Sequence, residues 1–263
     1  MKNLILLFIA IFAFTASSFA QTKTTYINIA YHKLKPGHTI EEAMAIEKRW
    51  KIVHQKRQSL GLITGWGAYT ILNQYQSQSV DYDYVSLNTS TDLNTITLYP
   101  EEMGAELIKQ DPSLATLIDD TKKVQSVFRN NITKSIEFTG SSHDLNSVIL
   151  VEAIQPTPGN FYTYIDYAKK VKSIQLDRIK AGNIQEWGLW QHLAPISTDC
   201  ISQFTAVTFL KDLSKLDFDS SQIYINGAKK YMNLTPEQFT KKISEIREIK
   251  QSVLMKYEIG TFN

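Results

Sequence analysis

Hydrophobic and polar positions alternate along residues 25–33, with Ile27, Ile29 and Tyr31 on one side and Tyr26, Asn28 and Ala30 on the other. A period of two predicts a strand, and Pro36-Gly37 bounds it with a turn. The period then changes. Ile40, Ala43, Ile46, Trp50, Val53, Arg57 and Leu60 recur at three- and four-residue steps, which predicts a helix with one buried face. Thr39 can cap its start, Glu41 and Glu42 suit the positive end of the helix dipole, and Gly61 can close it in the left-handed conformation. Further strands are predicted over 62–72, 82–89 and 126–138, the last with Phe128, Ile132, Ile136 and Phe138 on one side. Before it come a short helix near 101–109 and another opened by Asp111-Pro112, with Asp at the cap and Pro at the first helical position.

The same order then returns. A strand over 148–154 leads to the turn Pro158-Gly159, and Phe161, Ile165, Ala168, Val171, Ile174 and Arg178 mark a helix closing at Gly182. Strands follow over 184–193 and 203–210, then an irregular segment over 226–234. Thr235-Pro236 opens a helix, with Gln238 as its capping-box partner and Phe239, Ile243, Ile246 and Ile249 on the buried side. Residues 252–262 form the last strand. The halves agree residue by residue: Gly61 with Gly182, Trp66-Gly67 with Trp187-Gly188, and Gln125-Ser126-Val127 with Gln251-Ser252-Val253. The chain is a duplication, with the boundary in the polar linker 139–146 and halves spanning 21–139 and 147–263.

Each copy reads β-α-β-β-α-β, the order of the ferredoxin-like unit, so the fold class is α+β. Both helices cover one sheet face, and the aromatic and aliphatic residues on the other face also need a cover. The element order and the Pro-Gly, Gly, Trp-Gly pattern resemble the dimeric α/β-barrel superfamily in its tandem form, over nearly the whole mature chain. That resemblance implies two ferredoxin-like units packed sheet to sheet as an intramolecular α/β barrel. The superfamily includes antibiotic-biosynthesis-type monooxygenases, haem-degrading enzymes, chlorite-dismutase-like proteins, stress-responsive barrel proteins and NIPSNAP-like proteins. A shared fold does not carry a shared function.

Residues 1–20 read as a signal peptide: Lys2, an apolar run from Leu4 to Phe14, then Ser18-Phe19-Ala20 at a cleavage site. The run falls short of the roughly 20 apolar residues of a membrane span. An exported protein, periplasmic or extracellular and without a membrane span after cleavage, is expected. The formal net charge of +2 falls by one with the loss of Lys2, which gives nucleic acid no reason to bind. Cys200 is the single cysteine, so no intramolecular disulfide can form.

The chemistry-bearing residues are few. His54 lies beside the buried face of the first long helix, where it reads as a haem ligand or general base, or more plainly as a helix-border histidine. Its counterpart in the second helix is Leu176 or Gln175. His192 follows Trp190 by two on a strand and shares its face, and Tyr69 sits where Trp190 sits. These three are candidates to line a ligand pocket between the halves, or equally to pack at the interface. Trp66 and Trp187 repeat, and duplication preserves packing first, so they read as core before ligand site. His32, His38 and His143 have no partner at metal-ligand spacing, which points away from a metal site.

The leading expectation is a protein that binds a small, largely apolar molecule between its halves, with cofactor-independent monooxygenase-like activity open to it. The competing class is a non-catalytic stress-related or interaction protein with filled inner faces. Haem binding is the third reading, and a homodimer is an open alternative for assembly.

Overall fold

The structure, a computed structural model, describes residues 24–72, 80–139, 146–195, 202–216 and 220–262. The signal peptide, His143, Cys200 and most of the linker lie outside the described residues. The elements are β1 (Tyr26–Leu34), α1 (Ile40–Ser59), β2 (Gly65–Ile71), β3 (Tyr84–Ser90), α2 (Glu101–Gln110), α3 (Leu117–Val124) and β4 (Gln125–Phe138). In the second half they are β5 (Val148–Pro156), α4 (Phe161–Lys180), β6 (Glu186–Ala194), β7 (Phe204–Leu210), α5 (Ser220–Gly227), α6 (Pro236–Ile246) and β8 (Arg247–Gly260).

Eight strands among the described residues close into a barrel in the order β1-β3-β2-β8-β5-β7-β6-β4. Each half contributes a four-stranded antiparallel sheet, and the sheets join edge to edge where β2 pairs with β8 and β4 with β6. Sheet-to-sheet packing is thus realised as closure, which leaves no strand edge unpaired. Inward side chains such as Ile29, Tyr69, Ile149, Trp190 and Tyr257 fill the barrel, and the helices cover the outside.

Local sequence explains the two long helices. The Thr39 hydroxyl accepts from Glu42 N–H while the Glu42 carboxylate accepts from Thr39 N–H, closing a capping box. At the other end Leu62 N–H donates to Arg57 carbonyl and Gly61 N–H to Gln58 carbonyl, with Gly61 at φ +70°. Asn183 and Gly182 repeat both bonds onto Arg178 and Ile179, with Gly182 at φ +72°. This paired termination holds Arg57 and Arg178 at equivalent places in the last turn of each helix.

The repeated Trp-Gly has a packing cause. Trp66 and Trp187 point outward under the helices and are buried. The next glycine points inward, where an aromatic ring crosses it. A Cβ on Gly67 would lie 2.9 Å from Phe262, and one on Gly188 would lie 3.1 Å from Phe138.

Four expectations need correction. The segment 226–234 is largely helical, since α5 runs into a π-helical turn over Ala228–Met232. β8 begins at Arg247, so Ile249 lies on the strand, exposed, and not on the buried side of α6. A register shift between Ser135 and Glu137 breaks the alternation of β4, turning Phe138 into the barrel mouth. Phe128 is exposed.

Candidate functional site

Two cavities matter, one inside the barrel and one outside it. At the end where β2 and β6 begin, a cavity of about 330 Å³ opens between the halves. Tyr69, Trp190, Leu87, Phe138, Phe209 and Phe262 line it, together with Glu186. Tyr69 stacks on Tyr257 with ring centroids 5.0 Å apart. Burial, then Tyr257 and Glu186 nearby, holds the Tyr69 hydroxyl well above its usual pKa.

Outside the barrel, each half has a layer between its long helix and its sheet. In the first half that layer is closed. Arg57 is fully buried and its guanidinium donates to five acceptors: the Leu98 carbonyl at 3.0 Å, the Ile96 carbonyl at 2.7 Å, Asn88 Oδ1 at 2.9 Å, Tyr99 hydroxyl at 3.0 Å and His54 Nδ1 at 3.1 Å. Guanidinium only donates, so His54 Nδ1 accepts and Nε2 carries the ring proton. Burial, then the Arg57 charge, holds the His54 pKa well below its usual value, so the ring is neutral. The imidazole stacks on the Trp66 indole at 4.7 Å and 9°, sealing its face.

In the second half the same layer is open. Arg178 Nη1 donates to Gln175 Oε1 at 2.8 Å and to the Tyr224 hydroxyl at 2.9 Å. Gln175 therefore stands where His54 stands, each accepting from the arginine three residues on, and the alternative Leu176 points outward. An amide does not stack as imidazole does, and Trp187 lines a cavity of about 390 Å³. Glu152 from β5, Arg247 from the start of β8, and Tyr164 and Tyr167 from α4 complete its polar lining. Burial raises the Glu152 carboxyl above the usual carboxylate range, opposed by Arg247 and Arg178. Burial likewise pushes the Tyr164 hydroxyl up to about 12, opposed by Arg247. Among the described residues the Tyr167 hydroxyl is buried without a hydrogen-bond partner, a state that costs about 1–3 kcal/mol unless a bound group relieves it.

The structure thus disperses the residues picked out by sequence. Tyr69 and Trp190 meet at the barrel mouth. His192 faces the same interior but lies away from that cavity, with its Nε2 2.8 Å from the Thr205 hydroxyl and its pKa lowered to about 4 by burial, then by the Arg129 charge. His54 is buried in the first helix layer, a plug more than a helix-border residue. Trp66 is covered, and Trp187 forms part of the open cavity wall. Sequence alone puts Arg178 on a helix stripe and offers Gln175 as a counterpart of His54, but gives neither of them, nor Glu152 and Arg247, a place in a site. The available signal was an arginine on an otherwise apolar helix stripe, present in both copies.

No family model matches the sequence, and no curated protein matches it. Among solved structures, a candidate monooxygenase of Fusobacterium nucleatum superposes with a TM-score of 0.51 at 10% identity, over 92% of this chain and 96% of that one. The fold is the tandem dimeric α/β barrel. A haem-binding protein of Thermus thermophilus gives a TM-score of 0.48 at 10% identity, over 89% of this chain and 92% of its own. A chlorite dismutase of Candidatus Nitrospira defluvii gives 0.47 at 8%, over 89% and 91%.

Haem iron takes His, Cys, Met or Tyr from a protein. Neither barrel-mouth nor helix-layer cavity is lined by His, Cys or Met among the described residues. Tyr224 is held by Gln175 and Arg178, and burial raises the pKa of Tyr69, Tyr164 and Tyr167, which disfavours the ionised form that an iron ligand takes. His54 would have to give up Arg57. The lining does not fit a haem.

Proposed function

We propose that this is an exported small-molecule-binding protein whose ligand occupies the second-half helix layer. One observation carries the reading: the layer that Arg57, His54 and Trp66 close in the first copy is open around Arg178, Gln175 and Trp187 in the second. Its volume falls in the usual range for ligand sites, about 300–1,000 Å³. Two arginines and a tyrosine hydroxyl beside an apolar wall suit a flat apolar molecule bearing a carboxylate, enolate or phenolate oxygen. The filled-barrel alternative requires packed inner faces, and the barrel-mouth cavity weighs against it.

The monooxygenase-like reading draws support from Glu152. A carboxylate whose pKa burial raises is a stronger base than a free one, and Arg247 and Arg178 line the same cavity, where they would hold the anion left by proton removal. These residues supply proton transfer and charge stabilisation only.

Titration with anilinonaphthalene sulfonate, an anionic apolar dye, tests the site. Saturable binding that quenches tryptophan emission is expected, weakened about tenfold by Arg178→Gln with the far-ultraviolet circular dichroism unchanged. Binding indifferent to that substitution in a folded variant removes the reading. Export is tested by amino-terminal sequencing of the secreted chain, which should begin at Gln21.

A further inference from the structure

The barrel mouth differs in charge from the helix-layer cavity. Glu186 is the one charged residue lining it among the described residues, and it is 2% exposed. It is also specific to one copy. Glu186 precedes Trp187 as Gly65 precedes Trp66, and Phe262 lies so close over Gly65 that a Cβ there would come within 2.3 Å of its ring. The second copy therefore holds a carboxyl where the first leaves room for an aromatic ring.

Around Glu186 stand Tyr69, Trp190, Phe138, Phe209 and Phe262. Aromatic faces carry negative potential and attract cations, most strongly tryptophan and tyrosine, and a carboxyl group beside them can supply a counter-charge to a bound cation. Among the described residues no lysine or arginine lines the cavity. We propose that the barrel mouth is a second ligand site, for a small organic ammonium ion with an apolar body, its cationic head held by Glu186, Tyr69 and Trp190. A cavity of about 330 Å³ suits a molecule of one ring with a short substituted amine. The site is independent of the helix-layer ligand and is selected by the opposite charge.

The test is isothermal titration with benzyltrimethylammonium and with neopentylbenzene, its neutral isostere. The cation should bind saturably and about tenfold or more tighter than the isostere. Glu186→Gln should reduce that preference several-fold, leaving the part due to the aromatic faces, and Arg178→Gln should leave it intact. Equal binding of cation and isostere by the wild-type protein overturns the proposal, as does no saturable binding of the cation. The wild-type preference stands as a test even if Glu186→Gln does not fold.

Discussion

The two helix layers begin from the same sequence pattern and end in opposite states. Both place an arginine in the last turn of a glycine-closed helix, three residues after a hydrogen-bond acceptor, above an outward tryptophan. In the first layer the acceptor is an aromatic ring that covers the tryptophan, and the α1-side arginine finds two backbone carbonyls to hold. In the second it is an amide, and space remains. The buried acids differ likewise. Glu47 on α1 is sealed between the Tyr84 hydroxyl at 2.5 Å and Gln125, whereas its positional twin on α4 is Ala168. The second layer has its acid on the sheet instead, as Glu152 facing the cavity. Of two equivalent frameworks, one is filled by its own side chains and the other, on the proposed reading, holds a ligand.

The arginines should separate the two roles most sharply. Arg57→Met leaves the Ile96 and Leu98 carbonyls, Asn88 and His54 without their donor and should cost about 3–5 kcal/mol in urea unfolding. Arg178→Met, beside open space, should cost about 1 kcal/mol and act instead on ligand binding. Equal losses of stability would dissolve the contrast.

The sealed acid gives the next largest effect. Burial raises Glu47 to about 7, despite its bonds to Tyr84 and Gln125. A carboxyl raised on folding contributes stability that is full below its unfolded pKa near 4.5 and lost as pH rises through about 7. Glu47→Gln should therefore match the wild type in acid and gain on it between those limits, by on the order of 3 kcal/mol. The difference between the two proteins is the proper readout. His32, stacked on Tyr84 at 4.3 Å and lowered to about 4 by burial, works in the opposite sense, losing stability as pH falls. A difference independent of pH would mean that Glu47 is not sealed.

A smaller effect comes from the helix starts. Thr39→Ala breaks a capping box and should cost about 1 kcal/mol, while Asn160→Ala on α4, whose side chain makes no capping bond, should cost much less. Thermal unfolding of the two variants gives the comparison.

Much of this architecture was legible in the residues. Alternation gave the strands, three- and four-residue steps gave the helices, and Gly61 with Gly182 marked both helix ends. Misread segments have physical causes. A bulge reverses the facing of Phe138, and Ile249 continues the spacing of α6 although the chain has already turned into β8. The site was harder. Glu152 is an ordinary polar position in an alternating strand until the topology puts a helix over that face, and Arg178 looks like the edge of an apolar stripe. Choosing Gln175 over Leu176 as the counterpart of His54 required the hydrogen bonds to the arginines.

That pair supplies the most direct measurement. Gln175→His should place an imidazole over Trp187, as His54 lies over Trp66, and so close the second layer. Titration with anilinonaphthalene sulfonate should then show binding lost in Gln175→His and kept in His54→Gln, both folded by circular dichroism. Binding retained by Gln175→His with unchanged affinity would contradict the account that the open second layer is the ligand site.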